Sequence, residues 1–282
     1  MKILSFQRND DTSFGVLVDD GIIDAKPLLG HRYSDLKSVL EDAALEQLRE
    51  RAKDQSPDYT IDEISFLPVV PNPNKIICVG LNYESHRIEA GRAKTEHPSI
   101  FVRFPDSQTG HNEPILMPAV SDKLDYEGEL AVIIGKPGRY IQKADAMDHV
   151  AGYSCYNDGT VRDWQRHTIQ FTPGKNFPGT GAFGPHMVTA DSLGDVHKLA
   201  IQTRLNGKVM QDSNTERLIH DIPALISYIS AFTPLSVGDV IATGTPGGVG
   251  FKREPAVYMK PGDEIVVEIE SVGILKNIIR KE

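Results

Sequence analysis

Residues 124–136 read LDYEGELAVIIGK, three carboxylates running into a short, β-branched apolar stretch. The apolar part predicts a buried strand. Side chains two apart on a strand share a face, which would align Asp125, Glu127 and Glu129. Like charges so placed repel one another. Two readings relieve the repulsion. In one, the residues form the solvated face of an edge strand. In the other, a hard divalent cation such as Mg²⁺ neutralises them, because such ions choose oxygen ligands and i,i+2 spacing holds two carboxylates at a fixed separation.

Other segments carry groups that could complete such a site. GYSCYNDGTVRDWQ offers Asp158 as a third oxygen ligand, although Asn-Asp-Gly is also ordinary turn chemistry. NYESHRIEAG places His86 and Glu89 three apart, on one face of any helix that begins near Asn82. A carboxylate beside an imidazole fixes its tautomer and raises its basicity, as a general base for water requires. The same pair also suits a plain surface helix, and HRIEAG lacks the HExxH spacing of a zinc peptidase. Lys175 lies among glycines and prolines in TPGKNFPGTGAFGP, where rigid neighbours could hold it against an anionic group. ATGTPGGVG is a glycine-rich loop without the ending of a P-loop or the GxGxxG spacing of a dinucleotide fold. Its backbone N–H groups and the Thr245 hydroxyl could hold a carboxylate. No GxSxG elbow is present, which disfavours a serine hydrolase.

The elements that must position these groups are mostly strands. KILSF, FGVLV and IID alternate with turns at the N-terminus, and apolar residues at helical spacing from Ser34 to Lys53 predict one helix, with Ser34 as its N-cap. LPVVPNPNK, with three prolines, marks a boundary and divides a small N-terminal α/β domain (1–72) from a larger one (73–282). In the larger part, KIICVG, the acidic strand, GDVIATG and GDEIVVEIESVGILKNIIR read as strands. RLNGKV reads as a hairpin turning at Asn206-Gly207, and IPALISYISAF as a helix capped by Asp221 with Pro223 in its first turn. An α+β fold rich in antiparallel sheet is expected.

Bulk properties narrow the function classes. The chain has 282 residues, 40% apolar and 24% charged, and a formal charge of −9 with no basic cluster, so neither nucleic acid nor an anionic membrane is an expected partner. Two isolated cysteines suggest no disulfide framework, and the N-terminus builds no signal-peptide core; a cytoplasmic location is expected.

Taken in order, VGLNYxxHxxE, DYEGELAVIIGK, GYSCYNDGTVRDWQ, GKNF, RLNGK and TGTPGGVG resemble the fumarylacetoacetate hydrolase family over residues 73–282. The resemblance implies a mixed β-roll catalytic domain, usually a homodimer. It implies that Glu127, Glu129 and Asp158 ligate Mg²⁺, with Mn²⁺ or Ca²⁺ as substitutes, and that Asp125 stands beside them without ligating. His86 and Glu89 match a water-activating dyad, Lys175 a lysine next to the metal, and Gln165 and Thr245 substrate contacts. Where many members carry a lysine in FxKPPSS, this chain has FVRFPDSQTGH, so that Arg103 stands near the lysine position as an expected substrate contact, able to fork onto a carboxylate, and Asp106 and Gln108 fall in a loop that could face substrate.

The implied reaction is metal-dependent hydrolysis of a C–C bond in a β-diketo or acylpyruvate-type 2-oxo acid, with a His/Glu-activated water and an enolate leaving group. The alternative on the same scaffold is an isomerase, tautomerase or decarboxylase of an oxaloacetate- or 2-hydroxymuconate-type acid.

Overall fold

The computed structural model describes residues 1–19 and 21–282. Its framework is a twelve-stranded sheet whose main path runs Tyr59–Thr60, Gly21–Asp24, Asp11–Val18, Lys2–Arg8, Gly181–Thr189, Val150–Asn157, Gly128–Ile134, Val240–Ala242, Ile76–Gly80 and Ser99–Arg103. Most pairs are antiparallel; Val240–Ala242 and Ile76–Gly80 run parallel. A second, five-stranded sheet, ordered Lys208–Asn214, Ala200–Leu205, Glu264–Ile269, Gly273–Lys281 and Ile115–Met117, completes the antiparallel-rich α+β fold expected from the sequence.

The strand Gly128–Ile134 is buried at every position because both of its faces are covered. Leu130, Val132 and Ile134 enter one core with residues of the second sheet and of the helix Ile222–Phe232, while Ala131 and Ile133 enter another with the N-terminal helices. The helix Ile222–Phe232 starts as the sequence suggests: Asp221 accepts from the Ala224 N–H at 2.8 Å, and Leu225, Ile226 and Ile229 face inward. The turn at Asn206 and Gly207 has φ of 51° and 77°, the double positive angle of a type I′ hairpin.

Three local expectations change. The helix expected over Ser34–Lys53 is two helices, Leu36–Glu41 and Leu45–Ala52, broken at Ala43, whose φ is +52°. Its cap is Asp35, not Ser34, because Asp35 and Ser38 satisfy each other's backbone N–H in a capping box. The break lets Leu36, Val39, Leu40 and Leu48 all bury in one cluster. The acidic strand is also divided: Leu124–Asp125 pairs with Thr160–Val161, and Gly128–Ile134 joins the main sheet. Between them, Asp125 and Asn157 side chains accept the Tyr126 and Glu127 N–H groups in place of a ladder partner.

The proline-rich segment at 67–75 is not accompanied by a break in the sheet. Lys2–Arg8 pairs with Gly181–Thr189, and Ile3, Phe14 and Val16 share a core with Ile76, Cys78, Ala131 and Phe183. Residues 1–72 therefore extend the same sheet and core. No helix among the described residues is long and apolar enough to cross a membrane.

One consequence is cooperative unfolding. Ile3→Ala empties volume in the shared core and is expected to cost about 2–4 kcal/mol. Urea unfolding followed by tryptophan fluorescence and by circular dichroism should show one coincident transition, shifted to lower denaturant. Two separated transitions would mean that the N-terminal part melts independently.

Candidate active site

The divided acidic strand delivers Glu127 and Glu129 to the edge of a cavity of about 100 Å³ lined also by, among others, His86, Gln165, Lys175 and Thr245. Glu127 comes from the irregular link and Glu129 from the start of the main-sheet strand. Asp158 follows the end of the neighbouring strand, its N–H donating to the Glu127 carbonyl at 2.8 Å. Gly159 allows this close passage: a Cβ there would lie 2.0 Å from the Thr180 carbonyl oxygen. One carboxylate oxygen from each of Glu127, Glu129 and Asp158 lies within 4.8 Å of the others, and all three residues are buried.

Three buried cations face these groups. Lys175, at the end of the short helix Thr172–Lys175, donates from Nζ to Glu127 Oε2 at 2.7 Å and to Asp158 Oδ2 at 2.5 Å. Arg162 bridges Asp125 at 2.8 Å and Glu127 at 2.7 Å. Arg103 donates from Nη1 to Asp158 Oδ1 at 2.7 Å and to the Gly159 carbonyl at 2.8 Å. Burial alone would raise the Glu127 carboxyl, but Lys175 and Arg162 win and hold it at about 2. Burial also disfavours the Lys175 ammonium, yet Asp158 and Glu127 raise its pKa above the ordinary value. Glu129 has no such partner. Its one hydrogen bond is from the Gly244 N–H at 2.8 Å, and burial followed by Asp158 and Glu127 pushes its carboxyl well above the usual range.

That imbalance tests whether a cation fits. Four buried carboxylates, Asp125, Glu127, Glu129 and Asp158, face three buried cations, Arg103, Arg162 and Lys175, and Glu129 opens onto the cavity unneutralised. All the donors available are hard oxygens, with no cysteine and no histidine in the triplet. The set suits a divalent cation of the Mg²⁺ or Mn²⁺ kind.

The cavity wall also includes His86, which lies with Glu89 in the helix Glu84–Glu89, starting two residues after Asn82. His86 Nδ1 is 2.7 Å from Glu89 Oε1, and Glu89 Oε2 accepts from the Gly248 N–H at 2.9 Å. Glu89 thus engages one imidazole nitrogen and leaves Nε2 for the cavity. Asn82 ties this segment to the body through the His220 N–H and the His220 and Thr243 carbonyls.

The remaining expected contacts divide. Gln165 lines the cavity with its Oε1 accepting from Arg162 at 3.1 Å. Thr245 also lines it, but its hydroxyl is already engaged, donating to the Gly128 carbonyl at 2.9 Å and accepting from Gln211 at 2.7 Å. Arg103 departs from the substrate contact expected of it. It is 2% exposed, lies outside the cavity wall and is spent on Asp158, Gly159 and Thr180. Asp106 and Gln108 lie outside the wall as well. Asp125, expected to share a face with Glu127 and Glu129, is instead buried behind them, accepting from Arg162 and from the Gly250 and Phe251 N–H groups. Arg162 is a site residue that sequence reasoning does not single out; its role depends on packing against residues far away in the chain.

A model of the fumarylacetoacetate hydrolase C-terminal domain matches residues 75–280. The chain belongs to the fumarylacetoacetate hydrolase family. An oxaloacetate tautomerase of Bos taurus, described as mitochondrial, is 42% identical over 238 residues, 84% of this chain and 76% of the relative. A fumarylacetoacetate hydrolase from Exiguobacterium antarcticum superposes with a TM-score of 0.84 at 34% identity, covering all of both chains. A maleylpyruvate hydrolase from Sphingobium sp. SYK-6, solved with manganese(II) and pyruvate, has a TM-score of 0.83 at 30% identity over 100% of this chain and 99% of that one. The family's enzymes act on small organic acids, and the family match begins where the proline-rich segment ends.

Two measurements probe the electrostatics. Because Glu129 binds its proton more tightly folded than unfolded, chelator-treated protein should lose stability as pH rises from the ordinary carboxylate value of 4.5 to the raised folded value. Glu129→Gln should lack that fall and be the more stable protein at pH 7 without metal, by about 1.4 kcal/mol per unit of pKa elevation. Thermal melts across pH in chelator decide it; parallel curves for the two proteins would count against an unneutralised Glu129. Separately, Arg103→Met leaves Asp158 short of a buried partner and should cost about 3 kcal/mol or more in urea unfolding. A loss under about 1 kcal/mol would be that of a surface pair instead.

Proposed function

We propose that this protein interconverts the keto and enol forms of a 2-oxo acid of the oxaloacetate type, with a divalent cation held by Glu127, Glu129 and Asp158. The hydrolysis expected first from the sequence gives way to its alternative, the tautomerase or isomerase reading. The observation that carries this is one cavity lined by His86, Lys175, Glu127 and Glu129, with His86 paired to Glu89 and Asp158 beside the two glutamates, in a chain 42% identical to an oxaloacetate tautomerase.

A cation bound there, Mg²⁺ or Mn²⁺, would supply Lewis acidity toward a 2-oxo acid and raise the acidity of its C3 hydrogens. The remaining work falls to protein groups. Glu89 holds the Nδ1 side of His86, so Nε2 is the atom that takes the proton from C3. The electron pair left on C3 moves toward the C2 oxygen, and Lys175 Nζ, kept protonated by Glu127 and Asp158, stabilises the charge that develops there. A proton from solvent on that oxygen completes the enol while His86 Nε2 releases the C3 proton to solvent, and the reverse sequence returns the ketone. The only σ bond to carbon that breaks is C3–H, the C2=O π bond becoming the C2=C3 π bond, and no oxidant or reductant is consumed. The same pair could activate a water, which is the hydrolytic reading that the maleylpyruvate hydrolase relative favours.

The discriminating assay follows enol-oxaloacetate by ultraviolet absorbance in Mg²⁺, with deuterium exchange at C3 and product analysis by NMR. Catalysed exchange with oxaloacetate as the sole product supports tautomerisation; cleavage of an acylpyruvate without C3 exchange would replace it with hydrolysis. His86→Gln should lower the rate about 10²- to 10⁴-fold while calorimetric Mg²⁺ affinity is unchanged. Wild-type turnover by that variant would remove His86 from the mechanism.

A further inference from the structure

The helix that carries His86 and Glu89 is six residues long, and a helix so short has little stability of its own. Two successive amides of the glycine-rich loop reach across to it. The Gly247 N–H donates to Ser85 Oγ at 3.0 Å, and the Gly248 N–H to Glu89 Oε2 at 2.9 Å. Where the Glu89 carboxylate points therefore depends on how this part of the loop is held.

Gly248 is gripped by residues that do not line the cavity. Its carbonyl accepts from the Tyr126 hydroxyl at 3.1 Å, from Arg253 Nε at 3.2 Å and from Arg253 Nη2 at 3.1 Å. Arg253 also donates from Nη2 to the Met210 carbonyl at 2.5 Å and from Nε to the Tyr126 oxygen at 3.3 Å. The Met210 oxygen packs so closely that a Cβ on Gly248 would lie 2.2 Å from it, and the Gly248 φ of +106° likewise favours glycine. Earlier in the loop, Gln211 Nε2 donates to the Pro246 carbonyl at 2.8 Å and to the Thr245 hydroxyl at 2.7 Å.

A loop carbonyl in need of a partner is served by one donor, or by two on its two lone pairs. Three converge on this oxygen, and they do so at the residue whose N–H holds Glu89. The carbonyl and the N–H of one residue lie in adjacent planar peptides joined at its Cα. With the Gly248 φ confined by Met210, a grip on the carbonyl also sets the direction of the N–H.

We propose that Tyr126 and Arg253 are positioning residues for the His86–Glu89 pair. By fixing the Gly248 carbonyl they aim its N–H at Glu89, which then keeps the imidazole proton on Nδ1 and leaves Nε2 as the proton acceptor. This rests on the reading of His86 as the base and adds the groups that set its tautomer.

The test is NMR of the full chain labelled with ¹⁵N in its histidine rings. Ring-nitrogen shifts report which nitrogen carries the proton, and the signals missing from His86→Gln assign that residue. At about pH 8, where an ordinary imidazole is neutral, wild-type His86 should show one form protonated on Nδ1, in chelator and in Mg²⁺. Tyr126→Phe and Arg253→Gln should each move the shifts toward the other tautomer. The double variant should move them further, toward the pattern of Glu89→Ala. Arg253→Lys, which still offers a donor to the Gly248 carbonyl, should restore most of the wild-type pattern. In enol-oxaloacetate turnover, the double variant should lose about ten-fold in kcat, part of the 10²- to 10⁴-fold that a positioned base contributes, with KM and calorimetric Mg²⁺ affinity unchanged. A single Nδ1-protonated form in all of these Tyr126 and Arg253 variants overturns the proposal, whatever their rates. Tyr126→Phe deletes one hydroxyl and keeps the test decisive where Arg253→Gln does not fold: an unmoved tautomer in it removes Tyr126 from the role. A shifted tautomer with undiminished kcat overturns His86 as the base and leaves the clamp standing.

Discussion

The structure is organised around four carboxylates buried within one small region. Taking even one uncompensated charge out of water costs several kcal/mol, so Asp125, Glu127, Glu129 and Asp158 could be enclosed together only with dedicated partners. Arg103, Arg162 and Lys175 are those partners, and each is itself buried. The arrangement covers three of the four acids and leaves Glu129 with a single backbone N–H, from Gly244. The missing positive charge is thereby localised at one spot, beside Glu129 on the cavity wall. The donor set becomes a site for a cation because the neutralisation stops one charge short.

The sheet explains why this unfavourable cluster can be held in place. Glu129 begins a strand that is buried on both faces and paired on both sides, and Asp158 follows the strand next to it. Residues 1–72 contribute indirectly: their strands prolong the sheet beyond Gly181–Thr189, and their helices cover the face that carries Ala131 and Ile133. His86 and Glu89, in contrast, sit on a six-residue helix fixed at its start by Asn82 and at Glu89 by the Gly248 N–H. The acidic groups are thus set in the sheet, and the basic pair on a short, less deeply anchored helix. That division suits chemistry in which the substrate head must be fixed while a proton is moved.

Much of this is legible in the sequence where the signal is local. The i,i+2 spacing of Glu127 and Glu129, the i,i+3 spacing of His86 and Glu89, the Asn206-Gly207 turn and the Asp221 cap depend on nearby residues, and the structure forms each of them. Alternation misplaces Asp125 because the strand breaks at Tyr126 and Glu127, where side chains replace ladder partners, and a face cannot be carried across such a break. The helix break at Ala43 is hidden because the apolar spacing of two short helices packed on one core mimics that of a longer one. Arg103 looks like a substrate contact from its place near the family's lysine; only the fold shows Asp158, 55 positions away, taking its guanidinium.

Arg162 shows what sequence could not reveal. Lying in RDWQ, its chain position says nothing of function, yet its guanidinium joins the buried Asp125, the site carboxylate Glu127, the Gln165 amide and the Phe251 ring. The Phe251 ring also carries Arg166, and the Phe251 N–H returns to Asp125. One guanidinium therefore ties the buried carboxylates to the ring on which a second arginine stacks. Lysine, a point charge on a flexible stem, could neutralise Glu127 but could not fork between two carboxylates and stack on a ring at once. Arginine at this position meets the need to hold Asp125, Glu127 and the Phe251 ring with a single rigid group.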